Sequence, residues 1–453
     1  MRALLAALLL WPAVAASDGL ADEDLPELPD VQYVLLDGDV ELYVVERPGT
    51  RYVAHVLQFG TGPADDVASR QGVGNVALWT LAAGAKGSDG MERAGEHVAR
   101  YRAGVRDGRF TVRWVSRPAA ALSLWEDLTA ALRRPAMPED WLTSIQRNLA
   151  ATYIDRDADP ADTAKRVWRR LALGDHPAAR PDHGTPRTTG ELTREDLVLR
   201  IQQFRARPMQ AFLVGDGDSE GVEMPLNRRF KRLPKAFDIP ERETPPLPAG
   251  AAIVLVHRTG LNQSYVVAGS AGNVGGDDPA ALLALEELLG AGIWGRLDQR
   301  LRVSGGSTYG FSPSAEILGD LQHLSFGAWV EPATTVQAVT ALKETLEAVV
   351  GDEPPTAAEV ASAAAGLETT FLLQLSSNDG CAEALRRLGA LGRDPAAPGA
   401  WLRELRGLTA ERVGDAARSL IDPAEFAIVV VGDATVLEEP LGTLGVDVRV
   451  IGR

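Results

Sequence analysis

At 453 residues, 45% hydrophobic and 24% charged, the chain has the composition of a folded protein and is long enough for more than one core, since single cores stop growing near roughly 250–300 residues. A net charge of -16 excludes a nucleic-acid partner, because phosphate binding needs a basic face. The single cysteine, Cys381, excludes an intrachain disulfide.

In chain order, Arg2 precedes an apolar run from Ala3 to Trp11, which Pro12 breaks ahead of the small residues Ala13 to Ala16. This reads as a cleavable signal peptide over residues 1–16, too short to span a bilayer, so the chain is expected to be exported, periplasmic or secreted. No later segment offers about 18 continuous apolar residues, and no membrane span is expected. Val34 to Leu36 and Val44 to Val45 read as strands, and Ala120 to Arg133 as a long helix. Asp175, His176, Asp182 and His183 fall in one short stretch. Zinc needs ligands at helical or hairpin spacing, which this proline-rich stretch lacks, so a solvated loop is the plainer reading.

A longer pattern then repeats. Leu192 and Thr193 open a helix that leads through Pro208 to the strand Ala211 to Val214 and to Gly215-Asp216. Leu408 and Thr409 open another, through Pro423 to Ala427 to Val431 and Gly432-Asp433, roughly 216 residues on. Between the copies, Asn227 to Gly250 carries Pro234, Pro240, Pro245, Pro246 and Pro248, the composition of a stiff linker. A second strand at Ile253 to Val256 and a helix at Ala281 to Leu289 follow. The expectation is an α+β protein of two homologous α/β sandwich domains, 30–226 and 251–453, with helices over one face of each sheet. The domains should be separable lobes, cut first at the linker.

Other catalytic patterns are incomplete. Gly269-Ser270-Ala271-Gly272 lacks the glycine two before serine that a nucleophile elbow needs, and Gly84 to Ser88 has the wrong spacing for a phosphate loop. Cys381 has no base beside it and reads as a buried side chain.

The stretch Gly72-Val73-Gly74-Asn75-Val76-Ala77-Leu78-Trp79-Thr80-Leu81 resembles the zinc helix of the pitrilysin/insulinase family of inverted zincin metallopeptidases. Its apolar and glycine frame is similar, but the His-x-x-Glu-His letters are replaced by Asn75, Leu78 and Trp79. In that motif the histidines at i and i+4 grip zinc from one helix face and the glutamate is the general base. Leucine takes no proton and indole ligates no zinc. The family's third ligand, a glutamate, falls at Ala151 or Thr152. The resemblance runs over nearly the whole chain. It includes Leu36-Asp37-Gly38, Phe59 to Gly62, Leu132 to Pro135, Gly174 to Pro177 and Leu289 to Gly292 with Arg296-Leu297. Leu301-Arg302 through Gly306, Thr308, Tyr309 and Gly310 resembles the family's Leu-Arg-Glu-x-x-Gly-x-Thr-Tyr-Gly element, which supplies an arginine and a tyrosine to substrate binding. Here Val303, Ser304 and Gly305 replace the charged residues between.

The resemblance implies a protein that is inactive alone and binds no zinc. It would be the substrate-binding subunit of a heterodimeric zinc metallopeptidase, with Arg302 and Tyr309 facing a chamber shared with a zinc-bearing partner and an unstructured peptide lying in it. The alternative is a peptidase-fold binding or scaffold protein without a proteolytic partner, like the family's core subunits in respiratory complexes.

Overall fold

The computed structural model describes residues 25–86, 98–135, 137–138, 140–217, 219–233, 237–239, 245–248, 252–273, 278–290, 295–303, 311–318, 321–423 and 426–452. Two six-stranded mixed sheets organise these residues. The first runs β1-β2-β6-β3-β5-β4, built from β1 (Gln32–Leu36), β2 (Val40–Glu46), β3 (Val53–Gln58), β4 (Val98–Arg106), β5 (Arg109–Ser116) and β6 (Met209–Gly215). The second runs β12-β7-β11-β8-β10-β9, from β7 (Ala252–His257), β8 (Ser264–Asn273), β9 (Ser312–Leu318), β10 (Leu321–Val330), β11 (Ala427–Gly432) and β12 (Val448–Ile451).

The repeat read from the sequence is a repeat of topology. β6 lies parallel to β2 and antiparallel to β3, and β11 lies parallel to β7 and antiparallel to β8. The helices leading into β6 and β11 start on matching caps. Thr193 Oγ1 accepts from the Asp196 amide at 3.2 Å, and Thr409 Oγ1 accepts from the Arg412 amide at 3.2 Å. Each threonine satisfies an otherwise orphaned donor of the first turn. Only the outermost strands differ, since β1 is antiparallel to its neighbour and β12 parallel.

The expectation of helices over one face is corrected. β3 and β11 are buried at every position, as strands covered on both faces must be. One face of the first sheet carries Leu42, Val44, Leu57, Val112 and Leu213 into a core with the Val73–Lys86, Ser123–Arg133 and Arg194–Gln203 helices. Its other face, with Tyr43, Val45, Ala54, Val56, Phe212 and Val214, packs under Cys381, Leu385 and Leu388 of the Asn378–Ala390 helix, which comes from the second half. The second sheet reciprocates. Val254, Tyr265, Val267, Val429 and Val431 pack under Ala164 and Trp168 of the Pro160–Leu173 helix from the first half. Trp168 Nε1 donates to the Ala427 carbonyl at 3.1 Å, and Arg386 Nη1 donates to Gln58 Oε1 at 2.7 Å. Each half therefore completes the other's core, which argues against separable lobes.

The linker expectation also shifts. Asn227 to Phe230 form the last turn of the Ser219–Phe230 helix, and Asn227 Oδ1 accepts from the Asp37 amide at 2.6 Å. Further on, Leu247 packs on Leu173 and Ala178, and Pro248 closes against Gly174. Pro234 and Pro240 lie outside the described residues. No helix among the described residues is long and apolar enough to cross a membrane.

Candidate functional site

The Val73–Lys86 helix keeps its glycines for packing reasons. A Cβ at Gly74 would fall 2.3 Å from the Phe110 ring, and Gly72, at φ +92°, would place one 2.5 Å from the His183 carbonyl oxygen. Ahead of the helix, buried Asp66 Oδ2 accepts from the Gly72 and Gly74 amides at 3.1 Å each, while Arg200 Nε donates to Oδ1 at 2.9 Å. Burial pushes the Asp66 carboxyl up, against the opposing pull of Arg200 and the two amides. A carboxylate here meets the positive end of the helix dipole.

The three positions at zinc-motif spacing are occupied by packing contacts. Asn75 is buried and donates to the Asp182 carbonyl. Leu78 is wholly buried in the first half's core, and the Trp79 ring lies against His183 at 5.7 Å. Thr152 is exposed on the Trp141–Ala158 helix and donates back to the Asn148 carbonyl at 3.0 Å. Its neighbour Tyr153 donates to the His183 carbonyl at 2.6 Å. The 181–184 turn is thus clamped onto the helix by Asn75, Trp79 and Tyr153.

The acid and histidine stretch does not converge. Asp175 pairs with Arg170 at 2.6 Å, and His176 Nδ1 accepts from the Ala178 amide at 3.1 Å. Asp182 faces Arg169 at 3.9 Å, and burial lowers the His183 pKa. His176 is buried, so this stretch is packed and not a solvated loop. Among the described residues no group of three or more His, Cys, Asp or Glu side chains could hold a metal ion.

A cleft of about 970 Å³ opens between the sheets, walled by the Gly60 to Asp65 turn, the tip of the β4–β5 hairpin, the 176–182 stretch and β9. Arg106, Arg109, Arg169, Arg180 and Arg207 line it, together with Asp65, Asp107, Asp182 and Glu316. Sequence reasoning passed over this hairpin. Asp107 and Gly108 both take positive φ, 45° and 69°, and an Asp-Gly pair between alternating runs is a strong hairpin signal that would have located it. β9 resists an added strand, because Pro313 has no amide hydrogen and the Ala315 amide donates to Glu286 Oε1 at 3.1 Å. Burial would raise Glu316 on the same strand. The hydrogen bond from His323, with Arg169 and Lys165, instead leaves it at about 2.

Arg302 sits near the end of the Arg296–Val303 helix, and the structure describes its backbone only; Tyr309 lies outside the described residues. The helix is firmly anchored. Arg296 Nε and Nη2 donate to the two Glu359 carboxylate oxygens at 2.7 Å each, and Leu297 and Leu301 are buried. The hydrogen bond from Arg296 holds Glu359 down at about 2. Asp298 Oδ1 accepts from the Phe311 amide at 3.2 Å, tying the helix to the residue that enters β9. The Arg296–Val303 helix is therefore tied to the start of β9, a wall of the cleft.

The family model described as the peptidase M16 inactive domain matches residues 191–367. An uncharacterized zinc protease of Mycobacterium leprae is 26% identical over 285 residues, covering 60% of this chain and 62% of that protein. The chain thus spans less than two thirds of that relative's length. Among solved structures, a peptidase M16 inactive domain from Pseudomonas fluorescens superposes with a TM-score of 0.77 at 19% identity, over 89% of this chain and 98% of that one. The periplasmic protease PqqL from Escherichia coli gives 0.72 at 13% identity, over 95% of this chain and 49% of that one.

Proposed function

Because the chain belongs to the pitrilysin/insulinase family of peptidases, as a member of the inactive-domain type, we propose that it is the non-catalytic, substrate-binding subunit of an exported heterodimeric zinc peptidase. The observation that carries this reading is the chemistry at Asn75, Leu78, Trp79 and Thr152. An amide, an alkyl chain, an indole and a hydroxyl replace two imidazoles and two carboxylates, and the first three are committed to packing. Such a donor set does not fit zinc. The metal belongs to a partner subunit, where it would polarise the scissile carbonyl. Export is supported by the apolar run Ala3 to Trp11 and by likeness to a protein described as periplasmic.

In this reading Arg302 and Tyr309 bind the peptide. A guanidinium fork offers fixed donors to peptide carbonyls, and a phenol adds one directed hydrogen bond. The anchored Arg296–Val303 helix supports the reading, since a substrate-binding group needs a rigid base. Native chain drawn from the exported fraction should bring down a zinc-bearing peptidase subunit. Within that complex, Arg302→Ala and Tyr309→Phe should each lower turnover of an unstructured peptide, by up to about 10²–10³ where an oxyanion donor is lost. Assembly should persist. Wild-type turnover by both variants, or about one zinc per purified chain, would sink the proposal.

A further inference from the structure

The tip of the β4–β5 hairpin carries a facing pair of cations. Arg106 and Arg109 are register partners across the Asp107-Gly108 turn, so their side chains leave the same face of the ladder. Like charges directly opposite each other destabilise a sheet. Among the described residues no ion pair or side-chain hydrogen bond reaches either guanidinium. The nearby acids are engaged elsewhere: Asp107 by Arg386, and Asp65 by Arg207 Nη2 at 3.1 Å and the Gly62 amide at 2.8 Å. Asp182 and Glu316 lie within 4 Å of Arg169. Both hairpin arginines line the 970 Å³ cleft, and so does Thr61, whose buried hydroxyl has no partner among the described residues.

Arg109 bears the cost of this arrangement. It is half-buried, and burial first, then repulsion from Arg207 and Arg386, pulls its pKa down against the smaller attraction of Asp107 and Asp65. A chain of net charge -16 has acidic residues to spare. Two facing arginines and an unused hydroxyl in a cleft are the donor set for an anion that arrives from outside.

We propose that Arg106, Arg109 and Thr61 form a carboxylate-binding subsite that seats one negative charge of a bound peptide between the two sheets. This deepens the peptide-binding reading above and rests on it. The charge can come from a peptide C-terminus or from an Asp or Glu side chain, and both present the same two oxygens to an arginine fork.

The test uses the full mature chain and three labelled unstructured peptides of one neutral sequence. One ends in a free carboxylate, one in an amide, and one in an amide with a single interior Glu. The free acid or the Glu peptide should bind about tenfold or more tightly than the neutral amide, the factor expected for one charge-assisted hydrogen-bonded contact. Which of the two gains identifies the source. Arg109→Gln should abolish that difference without lowering Tm, because it removes a cation crowded by other cations; a structural arginine would lower Tm when lost. Equal binding of all three peptides, no binding of any, or a difference that survives Arg109→Gln would each overturn the subsite. Turnover by the Arg302 and Tyr309 variants in the complex is a separate readout, so the two ideas fail separately.

Discussion

His55 shows what a single residue can hide. It lies fully buried in β3, with Nε2 2.9 Å from Ser116 Oγ and Nδ1 accepting from Trp125 Nε1 at 3.1 Å, while Trp114 stacks on its ring at 4.8 Å. Burial lowers its pKa from 6.5 to about 3. The unfolded chain therefore binds a proton that the folded chain refuses. Stability from this residue is complete above about pH 6.5 and is lost progressively as pH falls toward 3, by about 2–3 kcal/mol at pH 4.5. Urea unfolding of the wild type across that range should show the slope, and His55→Gln should flatten it; equal slopes would refute the assignment. None of this was legible in the sequence. Ser116 and Trp125 lie 61 and 70 residues away, and only the strand pairing and helix packing bring them to the ring.

The Val73–Lys86 helix was legible as an element, through its apolar and glycine frame, and the residues at its zinc-motif spacing, Asn75, Leu78 and Trp79, could be read directly. Its partners were not. The 181–184 turn that Asn75, Trp79 and Tyr153 clamp down carries no periodic signal. This packing predicts that writing the zinc letters back fails. Leu78 has no exposure in the core, so Leu78→Glu would bury a carboxylate among apolar side chains without a partner. That costs about 3 kcal/mol or more. The triple variant Asn75→His, Leu78→Glu, Trp79→His should unfold at lower denaturant than wild type and hold no stoichiometric zinc by elemental analysis. A stable, zinc-loaded triple variant would show that the helix had kept a site after all.

At the scale of the molecule, the internal repeat and the two sheets could be read from matching caps, prolines and strands. The exchange of helices could not. The apolar run Ile428 to Val431 signals a strand covered on both faces, yet an apolar helix face does not declare which sheet it covers. The exchange changes what a cut should do. Cleavage within 231–250 should leave the two fragments migrating together on gel filtration under native conditions. Each fragment expressed alone should aggregate, having an apolar sheet face bare. Two soluble, separately folded fragments would contradict the packing described. The exchange also bears on ancestry. The helices Pro160–Leu173 and Asn378–Ala390 occupy matching places in the two copies, and each serves the opposite sheet. A half-length forebear built this way could finish its core only by trading that helix with a second copy of itself across a two-fold axis. Joining the two genes end to end would have turned a mutual obligation between chains into one chain, free thereafter to let its halves diverge.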